Sequence, residues 1–135
     1  MTEKEQLVKA RRGQGLFREN LLTFETSCRI TGVTEPQFLI ASHIKPWRVA
    51  TNEERLDGEN GLLLSPNSDL LFDRGFISFD DDGTLLISPV ADKECLLRMG
   101  IPTTSPFNVG EFSRKQKAYL AFHRRNVFLE AGRDA

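Results

Sequence analysis

The stretch that decides the fold runs Phe38-Leu39-Ile40-Ala41-Ser42-His43-Ile44-Lys45-Pro46-Trp47. After a polar interval it closes with Asn60-Gly61-Leu62-Leu63-Leu64-Ser65-Pro66. Phe38 to Ala41 reads as a short buried strand that delivers His43 at its end. Pro46 has no amide hydrogen to give a neighbouring strand, so pairing stops and the chain enters a polar loop from Arg48 to Glu59. Gly61 to Leu64 predicts a second strand, ended by Ser65-Pro66. Asn67 or Ser68 can then cap a short helix through Arg74, with Gly75 as its stop.

Working outward, residues 4 to 26 are helix-prone. Leu7, Leu16, Phe17, Leu21, Leu22 and Phe24 form one apolar stripe, and Gly13 and Gly15 interrupt or start the main helix. A turn follows at Thr31 to Pro36. On the other side, Phe76-Ile77-Ser78-Phe79 and Thr84 to Ser88 predict a hairpin around Asp80-Asp81-Asp82-Gly83. That acidic run lacks the twelve-residue spacing and final glutamate of a calcium loop, so it is a solvated turn. Residues 89 to 111 are loop-like, with one short helix around Lys93 to Met99. Ser113 caps a last helix whose apolar face carries Tyr119, Leu120, Phe122, Val127 and Phe128. No internal repeat or low-complexity tract is present.

The 135 residues fit one domain, and 39% apolar with 27% charged residues is ordinary for a soluble protein. No apolar run approaches the roughly 18 residues that span a bilayer, and the charged opening residues do not read as a secretory signal, so a cytoplasmic location with no membrane partner is expected. The two cysteines, Cys28 and Cys95, are far apart, and neither has a CxxC mate. They give no disulfide framework and no paired zinc knuckle. Net charge is −1, but the charges are sorted: acidic residues dominate from Glu53 to Glu94, and basic ones gather near the ends (Lys9, Arg11, Arg12, Arg18; Arg114, Lys115, Lys117, Arg124, Arg125). A fold bringing both ends to one side would present a phosphate-binding face beside an acidic centre.

The chemistry lies in the order of parts: strand, His43, long loop, Asn60, strand, short acidic helix. Such a unit can set one imidazole and one or two oxygen ligands around a small cavity. Phosphodiester hydrolysis needs those parts, a base to deprotonate water and a cation to stabilise charge on the phosphate and the leaving oxygen.

These residues resemble the HNH endonuclease family, the ββα-metal or His-Me finger group. The resemblance is to a branch whose pattern this chain supplies at Ala41 to Trp47, Asn60 to Pro66 and Asp69 to Phe79. Arg11-x-x-Gln14-x-x-Phe17-Arg18 is similar to that branch's leading helix, and Gln116-x-x-Tyr119-Leu120-x-x-His123-Arg124 to its tail. The resemblance implies an α+β fold with a ββα-metal core (28–75). A helical segment (1–27) would precede it; an extra β-hairpin (76–88) and a loop with C-terminal helix (89–135) would follow. It implies a metal-dependent endonuclease acting on DNA, in a restriction, mobile-element, phage or toxin setting. The alternative is a catalytically weakened module that binds DNA or a partner.

Carried over residue by residue, the resemblance makes His43 the general base and Asn60 the side chain that ties down the loop and orients it. Asp69 stands where the family places a metal ligand on its helix. Many relatives carry an aspartate ligand just before the histidine, where this chain has Ser42, a poorer ligand. The cation, Mg²⁺ or else Mn²⁺, is then shared by Asp69, Ser42, waters and a further group. Asn67 is preferred for that group over Asp73, which lies four residues beyond Asp69 on the same helix face. No structural zinc is expected. Lys45, Arg18 and Arg124 are candidate phosphate contacts, Trp47 reads as a hairpin anchor and His123 as a satisfied structural histidine. So compact a domain has little surface for base readout, and a fused domain or a homodimer would supply specificity.

Overall fold

The computed structural model describes residues 1–104 and 106–131; the final expected segment, 89–135, extends to residues outside these. Helix α1 spans Glu3–Leu21, and the Thr2 side chain caps it by accepting from the Glu5 amide. It passes through Gly13 and Gly15 without the break the sequence suggests. An interior glycine costs a helix only about 1 kcal/mol, and here packing outweighs it. A Cβ on Gly13 would sit 3.2 Å from the Trp47 ring, so the bare backbone gives that ring its seat.

Strands β1 (Ile40–His43) and β2 (Gly61–Leu64) pair antiparallel, with His43 opposite Gly61 and Ser42 opposite Leu62. β1 starts two residues later than expected. Pro36 starts a 3-10 turn through Phe38, because its fixed φ suits the first position of a helical turn. All of β2 is buried, which is why Leu62-Leu63-Leu64 runs apolar without alternation. The interval expected as loop contains a second 3-10 turn, Trp47–Val49, and helix α2, Asn52–Leu56. α2 is closed by a reciprocal box in which Thr51 and Glu54 cap each other's amides. Five residues are too few to show a helical period, so only that box could have announced it.

Helix α3, Pro66–Asp73, has Ser65 at its N-cap position, without a side-chain capping bond, rather than Asn67 or Ser68, since Pro66 takes the first helical position. Gly75 then turns the chain with φ +81°. β3 (Ile77–Phe79) and β4 (Leu85–Ile87) form a separate two-stranded hairpin. α4 (Lys93–Arg98) follows, then α5 (Arg114–Asn126), whose Ser113 and Gln116 make a second capping box. The fold is α+β. α1 covers β1 and β2 and also meets α2, α3 packs on β1, β2 and β3, and α5 packs on β3. Phe17, Leu21, Ile44, Leu62, Leu63, Leu64, Phe72, Ile77, Phe79 and Leu120 form the centre of one apolar core. Among the described residues no helix is long and apolar enough to cross a membrane.

α1 lies so close to β2 that a Cβ on Gly61 would fall 2.6 Å from Phe17 Cζ and 3.1 Å from Leu21 Cδ1, both on fully buried side chains. Gly61→Ala should therefore destabilise the protein by about 1–3 kcal/mol through overpacking. The shift of the urea midpoint measures it.

Candidate active site

β1 ends by offering His43 half-buried against three groups. Its ring stacks on Phe17 of α1 with centroids 3.6 Å apart and planes 14° from parallel. The Trp47 ring meets it edge-on at 5.6 Å. Its Nε2 lies 2.8 Å from the backbone oxygen of Arg55. A carbonyl only accepts, so Nε2 carries the hydrogen, and in the neutral ring Nδ1 keeps its lone pair. Arg55 lies in the last turn of α2, where a helix leaves carbonyls without internal partners. Burial lowers the imidazole pKa below its ordinary value. The bond to the Arg55 carbonyl opposes this, and the Arg55 charge adds to the lowering.

Asn60 holds that arrangement from behind. It is fully buried; its Oδ1 accepts the Lys45 amide at 2.8 Å, and its Nδ2 donates to the Glu54 carbonyl at 3.1 Å and the Lys45 carbonyl at 3.3 Å. One side chain thus clamps both ends of the loop that carries the Arg55 carbonyl. α5 braces the same loop. Tyr119 donates to Asp57 at 2.7 Å, Lys115 pairs with Asp57 at 2.7 Å, and Ser113 donates to Glu59 at 2.6 Å.

Alternation along β1 sends Ser42 the other way, toward α3. Its buried Oγ closes no hydrogen bond, although it faces both Asp69 and Asp73, one helical turn apart. Burial raises the Asp69 pKa, and the serine hydroxyl offsets part of that rise. Asp73 is pushed up to about 6, by burial first and by the Asp69 charge second, despite one side open to solvent. Two carboxylates and an unpartnered hydroxyl are hard oxygen donors, and a site short of negative-charge compensation fits a divalent cation. Among the described residues no group of three or more His, Cys, Asp or Glu is disposed to hold an ion.

The remaining expected residues lie elsewhere. Asn67 is exposed, and its amide donates to the Met99 carbonyl at 3.1 Å, so α3 does not bring it to the carboxylate pair. Asp73 is there instead, because residues four apart share a helix face while residues two apart do not. Lys45 pairs with Glu54 at 3.0 Å. Arg18 donates to the Leu39 and Pro36 carbonyls, and Arg124 to the Phe79 carbonyl and Asp81. All three cations are engaged within the chain. His123 is buried between the Phe72 carbonyl at 2.9 Å and the Ser78 hydroxyl at 2.7 Å, and burial drops its pKa to about 4. The Arg55 carbonyl and the Phe17 ring had no expected role. A backbone oxygen leaves no mark in residue types, whereas Phe17 stands in the apolar stripe and in the leading-helix motif without a sign that it meets His43.

β1, β2 and α3 thus bring an oriented imidazole and a carboxylate pair to the two faces of one short strand. Residues 28–80, which contain His43, Asn60, Ser42, Asp69 and Asp73, match the family model described as HNH endonuclease. No curated protein matches the chain. HNH nucleases generally use a divalent metal.

The carboxylate pair makes stability depend on pH. A folded-state pKa of about 6 for Asp73 means the folded protein holds that proton more tightly than the unfolded chain, whose value is about 3.9. The stabilisation is present below about pH 4 and lost as pH rises to about 6. Asp73→Asn should leave stability near that of the parent at pH 4 and raise it at pH 8. Urea midpoints at both pH values check this; an equal change at both would place the effect outside the pair.

Proposed function

We propose that the protein is a divalent-metal-dependent endonuclease that hydrolyses DNA phosphodiesters with His43 as general base. The carrying observation is the Nε2–H bond to the Arg55 carbonyl, which leaves Nδ1 free to take a proton from water. In this reading the water oxygen bonds to phosphorus as its proton passes to Nδ1. The bond to the 3′ oxygen breaks, leaving 5′-phosphate and 3′-hydroxyl ends. Asn60 acts as a positioning residue through the loop. Asp69 and Asp73, assisted by Ser42, hold the metal. When bound, Mg²⁺ stabilises charge on the phosphate and the departing oxygen. The Phe17 and Trp47 rings fix the imidazole plane and exclude water from its flanks.

His43→Ala should slow nicking of supercoiled plasmid in Mg²⁺ by at least about a hundredfold, the low end for a lost general base, while its circular dichroism spectrum is unchanged. Asn67→Ala should nick close to the parent rate, whereas Asp69→Ala should not. The parent rate should rise with pH and level off, with its half-maximum below about 6.5, because burial depresses the imidazole. Parent-like nicking by His43→Ala would remove the base assignment. A parent chain that binds DNA but never nicks it in Mg²⁺ or Mn²⁺ would establish the alternative, a binding module with a degenerate site.

A further inference from the structure

Beside the site, α1 and α2 enclose an open groove of about 550 Å³, within the range of about 300–1,000 Å³ that small-ligand pockets occupy. Its charged lining residues are Lys9, Arg12 and Arg55, and no carboxylate lines it. Neither Lys9 nor Arg12 enters an ion pair among the described residues. Between these cations stand apolar side chains with solvent on them, Leu16 49% and Leu56 37% exposed. The Arg55 guanidinium lies over the Trp47 ring at 4.7 Å, so a flat, positively charged layer forms part of the wall. That wall is shared with the base: the Arg55 backbone holds the His43 ring, and the Trp47 ring touches it.

From this juxtaposition we infer that the groove binds an unpaired stretch of the substrate strand flanking the bond to be cut. Lys9 and Arg12 take its phosphates, and one base stacks on the Arg55–Trp47 layer above Leu16 and Leu56. Single-strand sites combine these parts, a positive groove for the backbone and flat or aromatic faces for the bases. A rigid duplex keeps its bases stacked inward and offers the groove only phosphates. The inference rests on the nuclease reading for the direction of the strand, and it assigns that nuclease a preference for single-stranded or locally opened DNA.

Trp47 is the only tryptophan, so its emission reports on the groove directly. The full chain is titrated with the oligonucleotide (dT)10 in EDTA, where no cutting occurs. The expected result is a saturable change in Trp47 emission, at lower concentrations for (dT)10 than for an abasic ten-mer of equal charge. One missing stack of about 1–3 kcal/mol corresponds to about five- to 150-fold. In Lys9→Ala/Arg12→Ala, both positions are exposed on a helix that alanine favours, so the fold is retained. Its affinity for (dT)10 should fall at least about tenfold. Its salt dependence should flatten by about 1.4 in log–log slope, about 0.7 for each phosphate that is no longer neutralised. Three results would each overturn the inference: no change in emission, equal affinity for the abasic strand, or a double variant that binds like the parent. A chain that nicks plasmid in Mg²⁺ yet gives one of them loses the groove and keeps the nuclease. A chain that binds (dT)10 as expected but never cuts keeps a single-strand site and loses the nuclease.

Discussion

The hydrogen bond from His43 Nε2 to the Arg55 carbonyl is the constraint around which this end of the molecule is organised. It exists because α2 stops at Leu56, one residue past Arg55, and so leaves that carbonyl unclaimed. α2 stands because Thr51 and Glu54 cap each other, and it stays near β1 because Asn60 grips the Glu54 and Lys45 backbones. Since Asn60 is fully buried, losing its side chain would strand the Lys45 amide and carbonyl and leave the Glu54 carbonyl with the Asp57 amide alone. The imidazole is therefore oriented by main chain, without an acidic partner. A carboxylate in that place would raise the histidine pKa and stabilise its charged form; a neutral carbonyl fixes the tautomer while leaving burial to keep the ring neutral.

A second tension sits on the other side of β1. Asp69 and Asp73 share a helix face beside a serine hydroxyl that satisfies neither, in surroundings that disfavour their charge. α3 could be made calmer by an amide or an alanine at either position. Strain and uncompensated charge of this kind persist where the surrounding structure over-determines the residues, here the packed faces of Leu71 and Phe72 on the same helix. The two halves of the site thus have opposite electrostatic characters, a neutral lone pair on one face of the strand and excess negative charge on the other.

Much of this was legible in the residues, and the illegible part has a physical pattern. β2 could be read to the residue because an apolar run between Gly61 and Pro66 admits little else. α5 was announced by Ser113 and its apolar face. The motif order singles out His43 and Asn60, and the fold brings the two to the same loop. What escaped depends on distance in space. Gly13 and Gly15 read as interrupting or starting α1, because the ring of Trp47 that Gly13 makes room for is 34 positions away along the chain. Asp73 shares the Asp69 face in the sequence too, but its place at the helix end also suits a cap or an ion pair; only the fold ties Asn67 to the Met99 carbonyl and leaves Asp73 beside Asp69. Arg18 and Arg124 look like phosphate ligands in a charge map, and only the fold reveals the carbonyls that occupy them.

The stretch that matches the family ends at residue 80, but the structure that supports it does not. Beyond that point His123 fills the space between Phe72 and Ser78, Leu129 bonds to Gly75 and Ser88, and Tyr119 with Lys115 holds Asp57. Gln116 reaches Glu25, upstream of the matched stretch altogether. The matched stretch and the set of residues that brace it therefore have different boundaries. A fragment cut at residue 80 would keep His43, Asn60, Asp69 and Asp73 and lose the contacts from α5 that brace Asp57 and Phe72.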